Sequence, residues 1–304
     1  MDTNFFPSAE VDSAIAANDA IVALESTVIA HGLPRPQNFD VATRLERIIR
    51  AEHAIPATIA VIQGKGCIGV AENQLRILAS NDDVKKLSTR DLPLAMALGW
   101  NGATTVASTI WIANHVGIWV FATGGIGGVH RGSLPDVSAD LPQLARTPII
   151  VVCSGAKIVL DLPATREWLE THSVPVIGYG CDEMPAFYSQ RSHLPVDARC
   201  DSPEEVAAIF RKHQEIGLSS ALLVTVPVPS KSEVKEADLE RVLDQSLAEA
   251  EEQKISGRDL TPFLLARMSE HSAGATLRAN IALLENNARI AAQIAYALIS
   301  RGRT

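Results

Sequence analysis

Lys157 follows an apolar run and is the first candidate for chemistry in this chain. Residues 151–153 are Val-Val-Cys, Ser154 and Gly155 interrupt the run, and Lys157 comes two residues later. The pattern predicts a buried strand that turns into a helix, with Lys157 in the first helical turn. The positive end of the helix dipole lies there. The positive end of the dipole, together with partial burial of the side chain, favours the neutral form of the lysine amine, and a neutral amine is a nucleophile. The alternative is a first-turn lysine that faces solvent.

Glu25 follows a second apolar run, at residues 20–24. The carboxyl ends of parallel strands carry the sites of many α/β folds. Burial there would raise the pKa of Glu25 and suit it to general acid catalysis. The alternative is an acid in a loop or at a helix cap.

A glycine-rich loop, defined here as residues 122–131, ends a third apolar run. It carries four glycines between positions 124 and 128, and then His130 and Arg131. It has neither the Gly-Lys-Ser/Thr ending of a P-loop nor the spacing of a dinucleotide fingerprint. Its backbone could approach a ligand closely. A plain tight turn is the alternative.

Two further segments could hold an anion. Lys86 and Arg90 could pair with a phosphate, although a solvated charged turn explains them as well. Residues 101–109 are small and rich in hydroxyl groups, and a helix that starts there could bind an anion through backbone amides. A tightly packed helix of small residues is the alternative.

Carboxylates and an amide complete the candidates. Asp136 could hold a hard cation that keeps most of its water ligands, and the chain has no His/Cys cluster for zinc. Ser138 is a candidate N-cap with Asp140 in the first turn of the following helix, which explains both residues without a ligand. Asn280 lies on or near the apolar side of a C-terminal helical pattern, so it needs a partner from a ligand or from the backbone.

Strand-sized apolar runs alternate with helical patterns and must position these groups. The predicted strands cover residues 20–24, 58–62, 118–122, 148–153, 174–178 and 221–226. The predicted helices include residues 38–52, a helix capped by Ser202, and residues 231–253, 261–270 and 275–301. Continuous apolar strands indicate a sheet that is covered on both faces. We therefore predict an α/β fold with a mostly parallel central sheet flanked by helices (α/β/α) and a helical C-terminal part.

Composition narrows the class of protein. The chain has 304 residues, of which 47% are hydrophobic, and a formal net charge of −8 with a pI near 5.5. This balance argues against nucleic-acid binding. The apolar runs are too short to span a membrane, and the first residues do not form a signal peptide. Four cysteines without CxxC spacing indicate free thiols in a reducing compartment. We therefore expect one cytoplasmic domain over residues 1–304.

Seven segments, in chain order, resemble the motifs of the pseudouridine-5′-phosphate glycosidase family, also called the indigoidine-synthase-A-like family. They are ALESTVIAHGLP at 23–34, STRDLP at 88–93, NGATTVAST at 101–109, FATGGIGGVHRG at 121–132, VSADL at 137–141, CSGAK at 153–157 and TPFLL at 261–265. The series spans nearly the whole chain and is more specific than any single motif.

The resemblance implies reversible cleavage of the C–C glycosidic bond of pseudouridine 5′-phosphate, in which water enters and uracil and ribose 5-phosphate leave. On Lys157 it places the lysine that attacks C1′ and forms an imine with ring-opened ribose. On Glu25 it places the proton donor to the departing uracil carbon. The second substrate-site lysine falls on Lys86. The metal-binding aspartate falls on Asp136, with one Mn²⁺ per subunit held largely through water.

The resemblance also implies substrate contacts and partners. The contacts fall on Val106, Ser138, Ala139, Asp140, Thr123, His130 and Asn280. Family members form trimers, so a homotrimer with a small-molecule substrate is implied, with neither nucleic acid nor membrane as a partner. Where relatives usually carry Asn-Pro-Ile-Pro, residues 226–229 are Val-Pro-Val-Pro. That difference would alter base recognition if the asparagine contacts substrate.

Two other functions stay open at this point. One is an N-glycosidase or lyase that acts on another ribosyl phosphate with the same lysine. The other is a non-catalytic subunit that binds a phosphosugar.

Overall fold

Parallel strands run through the centre of the molecule. The computed structural model describes residues 4–132, 136–255, 257 and 260–300. The strands are β1 (Phe5–Pro7), β2 (Ile21–Leu24), β3 (Ile55–Ile62), β4 (Lys65–Ile68), β5 (Lys85–Leu87), β6 (Gly102–Thr104), β7 (Val120–Ala122), β8 (Val129–His130), β9 (Ile150–Cys153), β10 (Leu160–Asp161), β11 (Val176–Tyr179), β12 (Ala198–Cys200) and β13 (Leu222–Thr225). The six predicted strands are confirmed as β2, β3, β7, β9, β11 and β13. The largest shift at a strand end is in β3, which begins at Ile55.

The main sheet has the order β1-β4-β3-β2-β7-β9-β13-β11-β12. Every pair from β3 through β2 to β12 is parallel, whereas β4 and β6 pair with β3 in the antiparallel direction. Strand β5 extends the sheet beside β6, and β8 pairs with β10 in a separate short antiparallel pair. All residues of β2, β7, β9 and β13 are buried. Because side chains alternate between the two faces of a strand, both faces of the sheet are covered.

Helices flank this sheet. They are α1 (Ala9–Ala17), α2 (Gln37–Ala51), α3 (Glu72–Ser80), α4 (Leu92–Ala97), α5 (Val106–His115), α6 (Asp140–Leu144), α7 (Leu162–Thr171), α8 (Pro203–Glu215), α9 (Glu236–Glu252), α10 (Leu260–His271) and α11 (Ala275–Ser300). The long helix α11 packs on β2, β7 and β9 and against α2 and α8. The predicted α/β fold with a helical C-terminal part is therefore confirmed.

Helix ends follow local signals in some places and not in others. Ser202 caps α8 as predicted, and its hydroxyl accepts the N–H of Glu205 at 3.3 Å. The helix predicted from residue 231 begins only at Glu236, because Ser230–Ser232 form a separate 3₁₀ turn. The helix predicted to reach residue 301 is described as far as Ser300, and residue 301 lies outside the described part of the chain.

None of the described helices is long and apolar enough to cross a membrane. All four cysteines are free thiols, in agreement with the absence of CxxC spacing.

Candidate active site

Neighbouring parallel strands end at the same level and bring the candidate groups together. Leu24 of β2 pairs with Ala122 of β7, and Ala122 pairs with Val152 of β9. Glu25 therefore follows β2 beside Thr123, which follows β7. The site lies at the carboxyl edge of the sheet, as the apolar runs predicted.

Glu25 is a buried acid. Its residue is 9% exposed, and the Thr123 hydroxyl donates a hydrogen bond to its Oε1. Burial is the largest influence and raises the pKa of the Glu25 carboxyl. The positive charge of Lys157 and the Thr123 hydrogen bond act in the opposite direction. The carboxyl group therefore keeps its proton to higher pH than an exposed glutamic acid, which is the property that a general acid requires.

The prediction that Lys157 lies in the first turn of a helix is wrong. After β9 the chain runs beside the glycine-rich loop. The Ile126 N–H donates to the Gly155 carbonyl at 3.1 Å, and the Lys157 N–H donates to the Ile126 carbonyl at 3.1 Å. The next helix, α7, begins at Leu162 and has Asp161 as its N-cap. The helix-dipole argument therefore does not apply to Lys157, whose backbone is positioned by pairing with the loop.

The glycine-rich loop packs closely against its surroundings. A Cβ atom on Gly127 would lie 2.1 Å from the Ser138 Oγ, and one on Gly125 would lie 2.8 Å from the ring of Phe187. Only glycine leaves enough space at these two positions. Both glycines also border the cavity described below, so close packing and exposure to a ligand occur together.

The Asp140 carboxylate joins two backbone segments. Its residue is 6% exposed, Oδ1 accepts the Ala107 N–H at 2.9 Å, and Oδ2 accepts the Gly127 N–H at 2.8 Å. Ala107 lies in the first turn of α5, where a negative charge is favourable. The sequence predicted that an anion could bind at this helix start. At Ala107 that anion is the Asp140 carboxylate of the chain itself.

The predicted N-cap role of Ser138 is wrong. Helix α6 begins at Asp140, so Ala139 occupies the N-cap position and makes no side-chain cap. The Ser138 hydroxyl instead accepts the Asp140 N–H at 3.3 Å. Ser138 thus lies one residue before the N-cap, bonds the first N–H of the helix and borders the cavity.

A cavity of about 810 Å³ opens at this edge of the sheet. Every site residue predicted from the sequence lines it: Glu25, Lys86, Val106, Thr123, His130, Asp136, Ser138, Ala139, Asp140, Lys157 and Asn280. These residues come from positions far apart in the chain, and the fold brings all of them to one space. Their individual chemical roles stay predictions.

Sequence reasoning did not single out several other residues of the cavity. His31 and Leu265 line it and lie within two of the quoted motifs, which was the available signal. Arg146 also lines it, and its guanidinium donates to the Gln143 side-chain oxygen at 2.9 Å. Phe187 has a left-handed φ of 62°, which is rare for an aromatic residue and has no local sequence signature.

Asp136 is the candidate metal ligand. It is exposed at the cavity, and its backbone carbonyl accepts the His130 N–H at 2.8 Å. Within the described ranges no group of three or more His, Cys, Asp or Glu side chains is placed to hold a metal. One hard oxygen ligand suits a divalent cation that keeps most of its water, such as Mn²⁺ or Mg²⁺. The described residues therefore fit a weakly held ion better than a protein-enclosed one.

The Val-Pro-Val-Pro segment at 226–229 is part of the core. Val226 and Val228 are buried, and the Val226 N–H donates to the Cys153 carbonyl at 2.8 Å. Among the described residues, those lining the cavity do not include this segment. The substitution therefore gives no structural reason for altered base recognition.

The chain is similar to several known proteins over nearly its whole length. The family model described as indigoidine synthase A like protein matches residues 10–297. The chain is 50% identical over 293 residues to a pseudouridine-5′-phosphate glycosidase from Geobacillus kaustophilus, covering 96% of this chain and 97% of that one. It is also 50% identical over 295 residues to a protein of the same name from Paracoccus denitrificans, with coverage of 96% and 97%.

Solved structures agree with these relatives. The prealnumycin C-glycosynthase AlnA, crystallised in complex with ribulose 5-phosphate, matches with a TM-score of 0.91 at 36% identity and covers 99% of each chain. An indigoidine synthase A-like protein from Thermotoga maritima matches with a TM-score of 0.89 at 36% identity, covering 97% of this chain and 96% of that one.

The fold and the cavity define an α/β protein with a lysine and a buried acid at the carboxyl edge of a parallel sheet. With a family match over residues 10–297 and relatives at 50% identity, the chain belongs to the indigoidine synthase A-like family.

Proposed function

We propose that this protein is a pseudouridine-5′-phosphate glycosidase, which reversibly cleaves the C–C bond between ribose and uracil to give uracil and ribose 5-phosphate. The observation that carries the proposal is the pairing of a buried acid of raised pKa, Glu25, with Lys157 on one cavity. Relatives that are 50% identical over nearly the whole chain carry this name. Cleavage of a C–C bond needs both groups. The departing uracil carbon keeps the bonding electrons and must be protonated, and the electron-poor C1′ left on the sugar must be stabilised by the lysine nitrogen.

The reaction can be written with every bond accounted for. The neutral Lys157 Nζ attacks C1′ and the ring oxygen leaves C1′, so the ribose opens. The ring oxygen takes the proton that the attacking nitrogen gives up, which leaves a lone pair on that nitrogen. The C1′–uracil bond then breaks as the Glu25 proton moves to the uracil carbon and the nitrogen lone pair forms the imine with C1′. Water adds to the imine, ribose 5-phosphate leaves as the aldehyde, and Lys157 and Glu25 return to their starting states.

We assign phosphate recognition to cationic residues that line the cavity, namely Lys86, Arg90 and Arg146. Arginine and lysine are the side chains that pair with phosphate oxygens. The remaining predicted contacts, at Val106, Thr123, His130, Ser138, Ala139 and Asn280, border the same space. The ribulose 5-phosphate in the AlnA structure supports a phosphosugar as the type of ligand, since that protein is 36% identical to this chain.

We propose that Asp136 holds one Mn²⁺ per subunit through a single carboxylate and water. Bound there, the ion would supply positive charge next to an anionic substrate. Asp136 supports this assignment because it is exposed and lines the cavity.

We also propose that the protein works as a cytoplasmic homotrimer in which each chain is one domain. Four free cysteines support a reducing compartment. One hydrophobic cluster that extends from Phe5 in β1 to Ala295 in α11 supports a single domain.

The experiment is to incubate the purified protein with Mn²⁺ and either pseudouridine 5′-phosphate or uridine 5′-phosphate, and to identify the products by mass spectrometry. Uracil and ribose 5-phosphate from the C-linked nucleotide, absent with Lys157→Ala, are the expected result. Cleavage of the N-linked nucleotide alone would replace the proposal with an N-glycosidase. Binding of ribose 5-phosphate without turnover of either nucleotide would indicate a non-catalytic phosphosugar-binding protein.

A further inference from the structure

Asn287 is a fully buried polar residue of α11 that no motif or sequence pattern pointed to. Its residue is 0% exposed. It lies two helical turns after Asn280, on the same side of α11, but it does not line the cavity among the described residues. A buried amide is costly unless its hydrogen bonds are made inside the protein, so its partners are informative.

The Asn287 side chain bonds to the ends of two neighbouring strands. Its amide nitrogen donates to the Thr123 carbonyl at 2.9 Å and to the Ser154 Oγ at 3.1 Å. The same nitrogen lies 3.5 Å from the Gly124 carbonyl, and the Ser154 hydroxyl lies 3.3 Å from the Asn287 side-chain oxygen. One side chain therefore connects the first residues after β7 to the first residue after β9.

Each of these two strand ends leads to one of the reacting groups. Thr123 carries the hydroxyl that donates to Glu25. Ser154 begins the short segment that reaches Lys157, whose N–H donates to the Ile126 carbonyl of the glycine-rich loop at 3.1 Å. Asn287 thus connects Thr123, which bonds Glu25, to Ser154, which begins the segment that carries Lys157.

We propose that Asn287 is a positioning residue that fixes the Glu25 carboxyl relative to the Lys157 amine. This inference rests on the proposed function, in which Lys157 attacks C1′ and Glu25 protonates the uracil carbon that is bonded to C1′. An apolar side chain at 287 would leave the Thr123 carbonyl and the Ser154 hydroxyl without this partner. The two strand ends would then be held only by their backbone bonds, from the Thr123 N–H to the Val152 carbonyl at 3.0 Å and from the Ser154 N–H to the Gly124 carbonyl at 2.9 Å. A displacement of about 1 Å in a catalytic arrangement can lower the rate about 100-fold.

The main variant is Asn287→Leu, which keeps a similar volume and removes the hydrogen bonds. The matched control is Asn114→Leu. The Asn114 amide donates to the Pro148 carbonyl at 3.0 Å, just before β9 and therefore at the opposite edge of the sheet. Both variants lose a hydrogen bond from an asparagine amide to a backbone carbonyl near β9. Only Asn287→Leu loses it at the end of the sheet where the cavity lies. Ser154→Ala is a milder variant that removes only the hydroxyl bonded to Asn287.

Steady-state kinetics with pseudouridine 5′-phosphate should separate the two roles. We expect Asn287→Leu to lower kcat about 10- to 100-fold with KM changed less than about three-fold. The borohydride-trapped imine with ribose 5-phosphate should form correspondingly more slowly. Asn114→Leu should keep kcat and lower the unfolding temperature less than Asn287→Leu, because Asn114 is only half-buried. Asn287→Asp should recover part of the activity, because a buried carboxyl group favours the neutral form and offers one donor.

Several results would overturn the inference. One is a folded Asn287→Leu with unchanged kcat, and another is an equal loss of kcat in Asn114→Leu. If Asn287→Leu fails to fold, an unchanged kcat in Ser154→Ala overturns it. If the unaltered protein does not release uracil, the proposed function fails separately. Amide hydrogen exchange at Ile126 and Lys157 then tests whether Asn287 holds these two segments in place. Faster exchange in Asn287→Leu than in Asn114→Leu supports the positioning role of Asn287, and equal exchange refutes it.

Discussion

Thr123 donates its hydroxyl hydrogen to the Glu25 carboxylate from the adjacent parallel strand. The hydrogen bond favours the charged carboxylate, whereas burial favours the protonated acid and has the larger effect on the pKa of Glu25. Thr123 therefore orients the acid and partly offsets the burial that keeps it protonated. The Thr123 hydroxyl thus already has an internal partner, and its predicted contact with substrate stays a prediction.

Thr123→Val should change the pH dependence of cleavage. Valine has nearly the same shape but cannot donate to the carboxylate, so the pKa of Glu25 should rise further. Since the proposed cleavage uses protonated Glu25, the activity that is lost on the alkaline side should be lost at higher pH than in the unaltered protein. The measurement is kcat across the pH range, with Thr123→Ser as the control that keeps the hydroxyl. An alkaline limb that does not move in Thr123→Val would contradict this account.

Glu25→Gln should abolish most of the activity and change the pH dependence of stability. Loss of a general acid typically costs about 100- to 10,000-fold in rate. The folded-state pKa of Glu25 is raised above its ordinary 4.5, so the native state binds the proton more tightly than the unfolded state. This contribution to stability is present below the ordinary pKa and is lost as pH rises through the raised pKa. Because glutamine does not titrate, Glu25→Gln does not lose this stability as the pH rises.

Denaturant unfolding at about pH 5 and about pH 8 should therefore show Glu25→Gln gaining stability relative to the unaltered protein at the higher pH. A matched carboxyl is Glu46, which is half-buried, also has a pKa raised by burial, and is not among the residues that line the cavity. Glu46→Gln should show a similar stability change with activity retained. Parallel stability curves for Glu25→Gln and the unaltered protein would argue against the raised pKa.

Lys157→Arg and Lys157→Ala should separate charge from nucleophilicity. Arginine keeps the positive charge that acts on Glu25, but it stays protonated and cannot form the imine. Both variants should lose at least about 1,000-fold in product formation. Only the unaltered protein should gain the mass of a reduced ribose 5-phosphate adduct, on the peptide containing Lys157, after borohydride. An adduct of equal yield in Lys157→Arg would place the nucleophile elsewhere.

Asp136→Asn should weaken the dependence of activity on manganese. Chelation with EDTA should lower the activity of the unaltered protein, and added Mn²⁺ should restore it. The variant should need at least about 10-fold more Mn²⁺ for half-maximal activity, since an amide oxygen is a weaker ligand than a carboxylate. The control is Asp82→Asn, an exposed aspartate that pairs with Arg35 at 2.8 Å. Activity that is indifferent to EDTA would remove the metal from the proposal.

The sequence predicted the parts of the fold that depend on local pattern. Apolar runs located the central strands, and Ser202 located the start of α8 through its own hydrogen bond. Lys157 was placed wrongly in a helix because its actual partner, Ile126, lies thirty-one residues earlier in the glycine-rich loop. No local pattern encodes that pairing.

The same limit applies to the site. Glu25 could be predicted because a charged residue at the end of an apolar strand is conspicuous in the sequence. Asn287 could not, because an asparagine in a long helix usually faces solvent, and only the packing of α11 on β7 and β9 buries it. The predicted cap at Ser138 was one residue early, because helix α6 begins at Asp140 with Ala139 as its N-cap, although the Ser138 hydroxyl does accept the Asp140 N–H.

Asp140→Asn should destabilise the protein and lower its activity, because both carboxylate oxygens accept backbone N–H groups. An asparagine presents an amide NH₂ to one of those donors, which leaves a buried N–H without an acceptor at a cost of about 1–3 kcal/mol. The control is Asp161→Asn at the N-cap of α7, where the carboxylate accepts the Ala164 N–H at 2.9 Å and asparagine caps equally well. Denaturant unfolding should show a loss of stability for Asp140→Asn and little change for Asp161→Asn. Equal stability of the two variants would mean that Asp140 does not hold the glycine-rich loop against α5.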